Sequence, residues 1–412
     1  MAPRRAEGLV LQRHDHRGQA VLEFGLDDVS YLRGDAGRQA LAEVDRYRLT
    51  ESTLIADIAS VRRDFGDRSA LLVETVKLRR KAAGKFADAA DWLFTDEALQ
   101  QATAAPVAEH RARRLAGAIV HDATCSIGTE LAALRYWAGF TLGSDIDPVR
   151  LSMAQHNLGL SGPPVALCRA DALRSITTDA VVLVDPARRS GSRRRFDPRA
   201  YVPPLDELLD VLRPRSYVVK CSPGIDFAVL EQLGFDGEIE VTSLAGSVRE
   251  ACLWSRRLSG DGVRRRATLL DTGEEVTDSA PDDCGVAPVG RWIVDPDGAV
   301  VRSGLVRHYA VRHGLWQLDP DIAYLSGDRL PDGVRGFEVF EQLPFSERHL
   351  RQALSALAVG AAEILVRGVD VDPDALRTRL RLRGPAHVTV VIARLGTGTA
   401  GRATAFLCRP SR

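Results

Sequence analysis

Four consecutive β-branched runs, each closed by an aspartate, constrain this chain more than any other feature. The runs Ala118–Asp122, Thr141–Asp145, Val165–Arg169 (followed by Ala170-Asp171) and Ala180–Asp185 alternate with apolar-striped segments of helical spacing. That alternation is the pattern of βαβ units on a parallel sheet. A fifth run, Tyr217–Cys221, continues it, and Glu238–Leu244 with Glu250–Arg257 could close the sheet as an antiparallel pair. Helices are expected over Glu130–Trp137, Pro148–Leu158, Pro203–Leu212 and Phe227–Leu233. Pro148 suits a first helical turn, where its missing N–H costs nothing. Ligands of such open sheets bind beyond the carboxyl ends of the strands, where these acids fall.

The stretch Val120-His-Asp-Ala-Thr-Cys-Ser-Ile-Gly-Thr-Glu130 runs from the first strand through a small-residue turn into a helix. Small residues there let backbone N–H groups and the helix N-terminus approach a ligand closely. The stretch is neither G-x-G-x-x-G nor G-x-x-x-x-G-K-S/T, which argues against a nicotinamide enzyme or a P-loop NTPase. Gly143-Ser-Asp-Ile-Asp-Pro148 sets Asp145 at the end of the second strand, where a ribose diol lies in a doubly wound sheet. Asp147, followed by proline, reads as a helix cap. Asp171 closes the third strand and Val181-Val-Leu-Val-Asp-Pro-Ala-Arg188 the fourth. One strand-end aspartate could be a cap or turn residue. Four of them in register with a small-residue turn read as a cofactor site.

This ordered set resembles the class I S-adenosylmethionine-dependent methyltransferases, and the resemblance implies an α/β fold with a Rossmann-like seven-stranded sheet. Asp122 to Thr129 takes the place of the family's first motif, Asp-x-x-Cys/Gly-Gly-x-Gly-Thr, with Ser126 where the first glycine is commoner. Cofactor contacts from Asp122, Cys125, Ser126 and Gly128 are implied. The resemblance further implies that Asp145 accepts the ribose hydroxyls, that Asp171 accepts the adenine amine, and that Ala172 offers its backbone to the ring. Gln101 and Thr103, ahead of the first strand, would lie over the methionine end. Asp185-Pro186-Ala-Arg188 stands at the catalytic motif, so Asp185 would accept a hydrogen bond from the target nitrogen and Arg188 would hold a base or a phosphate. The aromatic of the related Asp-Pro-Pro-Tyr motif is missing here. S-adenosylmethionine is the cofactor implied, and no metal is implied. The layout of Asp185-Pro-Ala-Arg-Arg189, Lys220-Cys-Ser-Pro-Gly-Ile-Asp226 and Glu363-Ile-Leu-Val-Arg-Gly-Val-Asp-Val-Asp372 is similar to bacterial methyltransferase-like proteins that end in a THUMP-like domain. THUMP modules are associated with RNA modification, so the resemblance implies RNA binding and methylation of a base in RNA, tRNA or rRNA.

Three domains are expected. Residues 1–115 read as a helical N-terminal domain, with apolar spacing over Ala40–Leu49 and Ala70–Phe86. Residues 116–335 form the methyltransferase domain, in which the turn-rich Asp271–Gly285 reads as a loop. Residues 336–412 form a small α+β, ferredoxin-like, THUMP-like module: strand Phe337–Pro344, helix Glu347–Val359, strand Ala362–Arg367, helix Pro373–Leu382, then strands His387–Leu395 and Arg402–Arg409. Basic and acidic residues balance at 55 each, so any nucleic-acid surface must be a local patch. The apolar stretch Leu354 to Val366 is broken by Glu363 and falls short of the roughly 18 residues of a membrane span. The N-terminal Met-Ala-Pro-Arg-Arg lacks the apolar core of a secretory signal, so no membrane and a cytoplasmic location are expected. Six scattered cysteines form no C-x-x-C pair, which excludes the common zinc and iron–sulfur patterns.

Several residues carry competing readings. Cys221 follows Lys220 at the end of the fifth strand, a spacing from Asp185-Pro-Ala-Arg that is similar to the uracil C5-methyltransferases; there a thiolate adds to the pyrimidine, and Lys220 could activate the thiol. Against this stands a small apolar residue at a strand end. The cluster Arg188, Arg189, Arg193, Arg194, Arg195 and Arg199 suits either a phosphate backbone or a solvated loop. Arg377, Arg379, Arg381 and Arg383 read as a second patch or a solvated helix end. His121 reads as a strand residue rather than a base. A methyltransferase-shaped RNA-binding protein without catalysis remains the alternative of a different class.

Overall fold

The structure is a computed structural model that describes residues 12–14, 20–86, 89–188, 198–396 and 401–410; Arg188 is described by its backbone only. The chain divides into two compact units, one comprising Met1–Gly237 with Ala251–Leu258, the other Glu238–Glu250 with Ser259–Arg412.

In the first unit, helices Leu26–Arg33, Asp35–Val44, Leu54–Phe65 and Ser69–Ala82 form the front section. Asp35–Val44 buries Gly37, Ala40, Leu41 and Val44, the three-and-four spacing that gives a helix one apolar face. Gly37 is required by closeness: a Cβ there would meet the Tyr31 carbonyl oxygen at 2.1 Å. The helix stops at Val44 rather than reaching Leu49, whose φ of +52° a right-handed helix excludes. The front section shares one core with the loop after the first sheet strand and the helix after the second, because Val29, Leu72 and Leu99 cluster with Ile127 and Met153.

The five parallel strands run Ile119–Asp122, Phe140–Asp145, Ala166–Arg169, Val181–Val184 and Tyr217–Cys221. Their order across the sheet is third, second, first, fourth, fifth. Val181–Val184 reads as an unbroken apolar run because both of its faces are buried. Ser247–Ser255 lies antiparallel beside the fifth strand, with Ala251 opposite Cys221 and Cys252 opposite Lys220. Strand order therefore reverses between the first and fourth strands, which opens a crevice at the carboxyl end of each. Helices Thr129–Trp137, Pro148–Gly159, Leu205–Leu212 and Phe227–Gln232 make the crossovers. Asp147 caps Pro148–Gly159 by accepting from the Val149 and Arg150 amides.

In the second unit, Gly237–Leu244 pairs parallel with Arg265–Leu269, which pairs antiparallel with Glu274–Thr277. The stretch Asp271–Gly285 is thus not all loop. Arg266 bonds both Glu238 and Glu275 across these strands, and that cross-strand pairing is invisible in a turn-rich sequence. A separate seven-stranded sheet has the order Trp316–Asp319, Ile322–Gly327, Trp292–Val294, Gly336–Pro344, Arg402–Pro410, Ala386–Leu395, Val359–Arg367. Helices Glu347–Ala356 and Pro373–Leu380 cover it through Leu350, Leu354, Leu376 and Leu380. The strands between 292 and 327 have no counterpart among the elements expected from sequence. No helix among the described residues is long and apolar enough to cross a membrane.

Asn157 ties the front section to the loop after the first strand. Its Oδ1 accepts from the Leu93 amide at 2.8 Å, and its Nδ2 donates to the Leu93 and Ile127 carbonyls at 3.0 Å each. Asn157→Ala strands three buried backbone groups at about 1 kcal/mol or more apiece, so urea denaturation should show a loss of about 3 kcal/mol. A loss below about 1 kcal/mol would mean that water replaces the amide.

Candidate active site

The carboxyl ends of the first four strands surround a cavity of about 390 Å³, which lies wholly within the first unit. Its lining includes Asp122, Asp145, Asp171 and Asp185, together with Gln101, Cys125, Ser126 and Ala172. Eight of the residues singled out from the sequence thus meet in one place. Thr103, Gly128 and Pro186 do not line it. The Arg188 side chain and residues 189–197, which hold most of the first arginine cluster, lie outside the described residues.

Ser126 holds a φ of +49°, a conformation glycine adopts without strain and serine rarely does. In this conformation the Ser126 amide donates to Asp145 Oδ2 at 2.9 Å, while the Asp147 amide donates to Oδ1 at 2.9 Å. Burial nevertheless lifts the Asp145 carboxyl above its ordinary range. Gly128 works from behind: it precedes the Thr129–Trp137 helix with a φ of +91°, and a Cβ would press on Leu158 at 3.1 Å. Thr95 caps the helix Asp96–Gln101, which turns Ala98 and Leu99 inward and leaves Gln101 at the cavity.

Asp122 is the most unusual acid. It is buried; its Oδ1 accepts from the Thr124 amide at 3.2 Å, and its Oδ2 has no partner among the described residues. Burial first, then the negative charge of Glu130, pushes its carboxyl well above the usual range. Burial likewise pushes the Cys125 thiol up, with Asp122 and Asp145 adding to the effect.

The charged floor of the cavity was not anticipated from sequence. Glu130, in the first turn of Thr129–Trp137, lines it and pairs with Arg111 at 3.3 Å and with Lys220 at 3.0 Å. Lys220 also donates to Asp185 Oδ2 and to Thr103 Oγ1. Asp185 in turn is fixed by its own amide, which donates to Thr124 Oγ1 at 2.7 Å. Burial alone would raise the Glu130 carboxyl, but Arg111 and Lys220 outweigh it and hold it at about 2. Lysine is scarce here, four residues among 55 basic ones, and that scarcity was the one available signal for position 220.

Lys220 therefore does not activate Cys221. Successive side chains of a strand point to opposite faces, so Lys220 reaches Glu130 and Asp185 while Cys221 turns away, buried and absent from the cavity lining. His121 donates to or accepts from Ser144 Oγ at 2.8 Å, and burial together with Arg215 lowers it to about 4, as befits a strand residue. In the second unit Arg377 bonds Asp374, and Arg379 bonds Glu347. Arg351 donates to the Arg379 carbonyl, so these cations attend helix ends. Among the described residues no group of three or more His, Cys, Asp and Glu is placed to hold a metal.

Two Mycobacterium tuberculosis proteins, from strains CDC 1551 and H37Rv, are each 66% identical to this chain over 358 residues; the match covers 85% of the chain and all of either relative. Each is named an uncharacterized S-adenosylmethionine-dependent methyltransferase. The chain belongs to the S-adenosylmethionine-dependent methyltransferases. This methyltransferase matches the THUMP domain-like family over residues 334–410 and a domain family of unknown function over residues 25–82. Its fold is shared with a crystal structure from Porphyromonas gingivalis W83 described as a candidate methyltransferase. The TM-score is 0.73 at 22% identity, covering 91% of this chain and 99% of that one.

The Glu130 charge is testable through acid stability. A carboxyl held at about 2 against 4.5 when free contributes stability above pH 4.5 that is lost as the pH falls toward 2. Glu130→Gln should therefore unfold more readily at pH 7, with a deficit that shrinks between about pH 5 and about pH 2. A deficit constant across that window would contradict the assignment.

Proposed function

We propose that this methyltransferase transfers the methyl group of S-adenosylmethionine to a nitrogen of a base in RNA. The observation that carries the proposal is Asp185: a carboxylate at the cavity, held on Oδ2 by a buried ammonium, with no described residue bonded to Oδ1. Such an oxygen can accept an N–H from an acceptor. The THUMP domain-like match over residues 334–410 supports RNA as the acceptor's source, as a likeness between families rather than a site.

The cavity fits the cofactor by charge and by an unmet bond. Among the described residues, Asp122, Glu130, Asp145, Asp171 and Asp185 line it with one cation, Arg150, and the sulfonium and ammonium of the cofactor suit that imbalance. The unpartnered Asp122 Oδ2 is a buried polar atom with an unmet hydrogen bond. Asp145 would hold the ribose hydroxyls, Asp171 and Ala172 the adenine, and Gln101, Asp122, Cys125 and Ser126 the methionine end. When bound, the cofactor supplies an electrophilic methyl whose bond to sulfur breaks as the acceptor nitrogen bonds the carbon.

The chain's own task is alignment and the exclusion of water. Asp185 orients the acceptor nitrogen through its N–H and takes that proton as the nitrogen gains the methyl. The cavity wall includes the aliphatic Val202, Pro203 and Pro204, a surface against which a flat base can lie. A uracil C5 mechanism is disfavoured by the burial of Cys221 away from the cavity.

The test is methyl transfer from labelled S-adenosylmethionine to RNA from the source organism with this gene deleted, followed by mass spectrometry of the nucleosides. One methylated base should appear. Asp145→Ala should raise the cofactor Kd by about tenfold or more, the worth of one charged hydrogen bond. Asp185→Asn should leave that Kd within about threefold while cutting transfer by about 100-fold or more. Label found only in protein or in a small molecule would overturn the RNA assignment.

A further inference from the structure

Lys220 is where the cavity meets the interior. Its side chain is 6% exposed, and its three ammonium hydrogens face three acceptors: Thr103 Oγ1, Glu130 Oε1 and Asp185 Oδ2. These come from three different elements, namely the segment after helix Asp96–Gln101, the first turn of Thr129–Trp137, and the end of the fourth strand. Arg111 stands behind Glu130, Asp122 lies within electrostatic reach of Lys220, and Cys252 sits opposite Lys220 on the neighbouring strand. A buried ammonium costs several kcal/mol of hydration, which an apolar residue on the same strand would avoid. The position is also occupied by lysine in a chain whose cations are otherwise overwhelmingly arginine. A planar five-donor guanidinium cannot converge on three acceptors around one point, whereas an ammonium can.

We propose that Lys220 is a positioning residue for methyl transfer: it clamps Asp185 by its Oδ2, so that Oδ1 alone is presented to the acceptor's N–H. This rests on the reading of Asp185 given above. Glu130 and Arg111 complete the device. Glu130 shares its charge between Arg111 and Lys220, so the ammonium is neutralised only in part from behind and retains an attraction for the cavity carboxylate. Thr103, which does not line the cavity, acts through Lys220 by holding its third hydrogen. The segment just ahead of the first strand thus reaches the reacting end of the site through Thr103 and Arg111.

The experiment compares the unaltered protein with Lys220→Met, Lys220→Arg and Asp185→Asn. In methyl transfer to the RNA described above, K220M should lower kcat by about 100-fold, with KM for RNA and the cofactor Kd each within about threefold. K220R should recover only part of kcat, since charge is restored and the three-point geometry is not. A second readout needs no acceptor. With lysines only at 77, 81, 85 and 220, selective 13Cε-lysine labelling gives a sparse spectrum in which Lys220 is the resonance missing from K220R. In D185N that resonance should titrate at lower pH than in the unaltered protein. If RNA is not the substrate, the unaltered protein transfers nothing to RNA and the NMR comparison still decides the coupling. The proposal is overturned by a Lys220 titration unmoved in D185N, by K220M with undiminished kcat, or by a loss confined to cofactor affinity.

Discussion

Five carboxylates crowd one cavity, and the structure depends on how their mutual repulsion is offset. Asp122, Glu130, Asp145, Asp171 and Asp185 all line the same space. Unscreened like charges at such spacing cost several kcal/mol in a low-dielectric interior. Three means of relief are visible. Asp145 is bonded by two backbone amides, Glu130 and Asp185 are bonded by buried cations, and Asp122 is driven toward its neutral form by burial. The remainder is left to whatever occupies the cavity, and a ligand with cationic groups meets that need.

The same arrangement brings the residues just ahead of the first strand into the site. Arg111 and Thr103 lie ahead of the first strand, yet both end beside Glu130 and Lys220 under the sheet's carboxyl edge. Asn157 adds a backbone clamp between the Leu93 segment and the loop that carries Ser126. Apolar packing through Ile127 and Met153 completes the join. A sheet presenting only its strand ends would leave the cavity without a charged floor.

How much of the site is legible in the sequence depends on the range of the interactions. The strand-end aspartates are legible because each is fixed by its own local pattern, an apolar run ending in an acid, and strand order places them together. Asp147 as a cap is legible for the same reason, since its partners are two and three residues away. The charged floor is not: Lys220 meets Asp185, Glu130 and Thr103 across 35, 90 and 117 positions, and no local pattern encodes such a meeting. Sequence reasoning does single out Lys220, but pairs it with its neighbour Cys221, and the alternation of a strand sends those two side chains to opposite faces. Gly128 and Thr103 stand among the expected contact residues, yet they support the cavity from behind. The strands between 292 and 327 escape notice because they are short, and Trp292–Val294 depends on partners more than 30 positions away, at Leu325–Gly327 and Gly336–Glu338.

The central claim is that this carboxylate-lined space at the strand ends is the cofactor site, charged for a cation and floored by Lys220. A crystal structure with S-adenosylmethionine or its demethylated product tests it most directly. The account predicts the ribose on Asp145, the adenine beside Asp171 and Ala172, and a new donor on Asp122 Oδ2, with Lys220 still bonded to Asp185. A ligand bound elsewhere, or a cavity closed by its own side chains in the presence of saturating ligand, would contradict it.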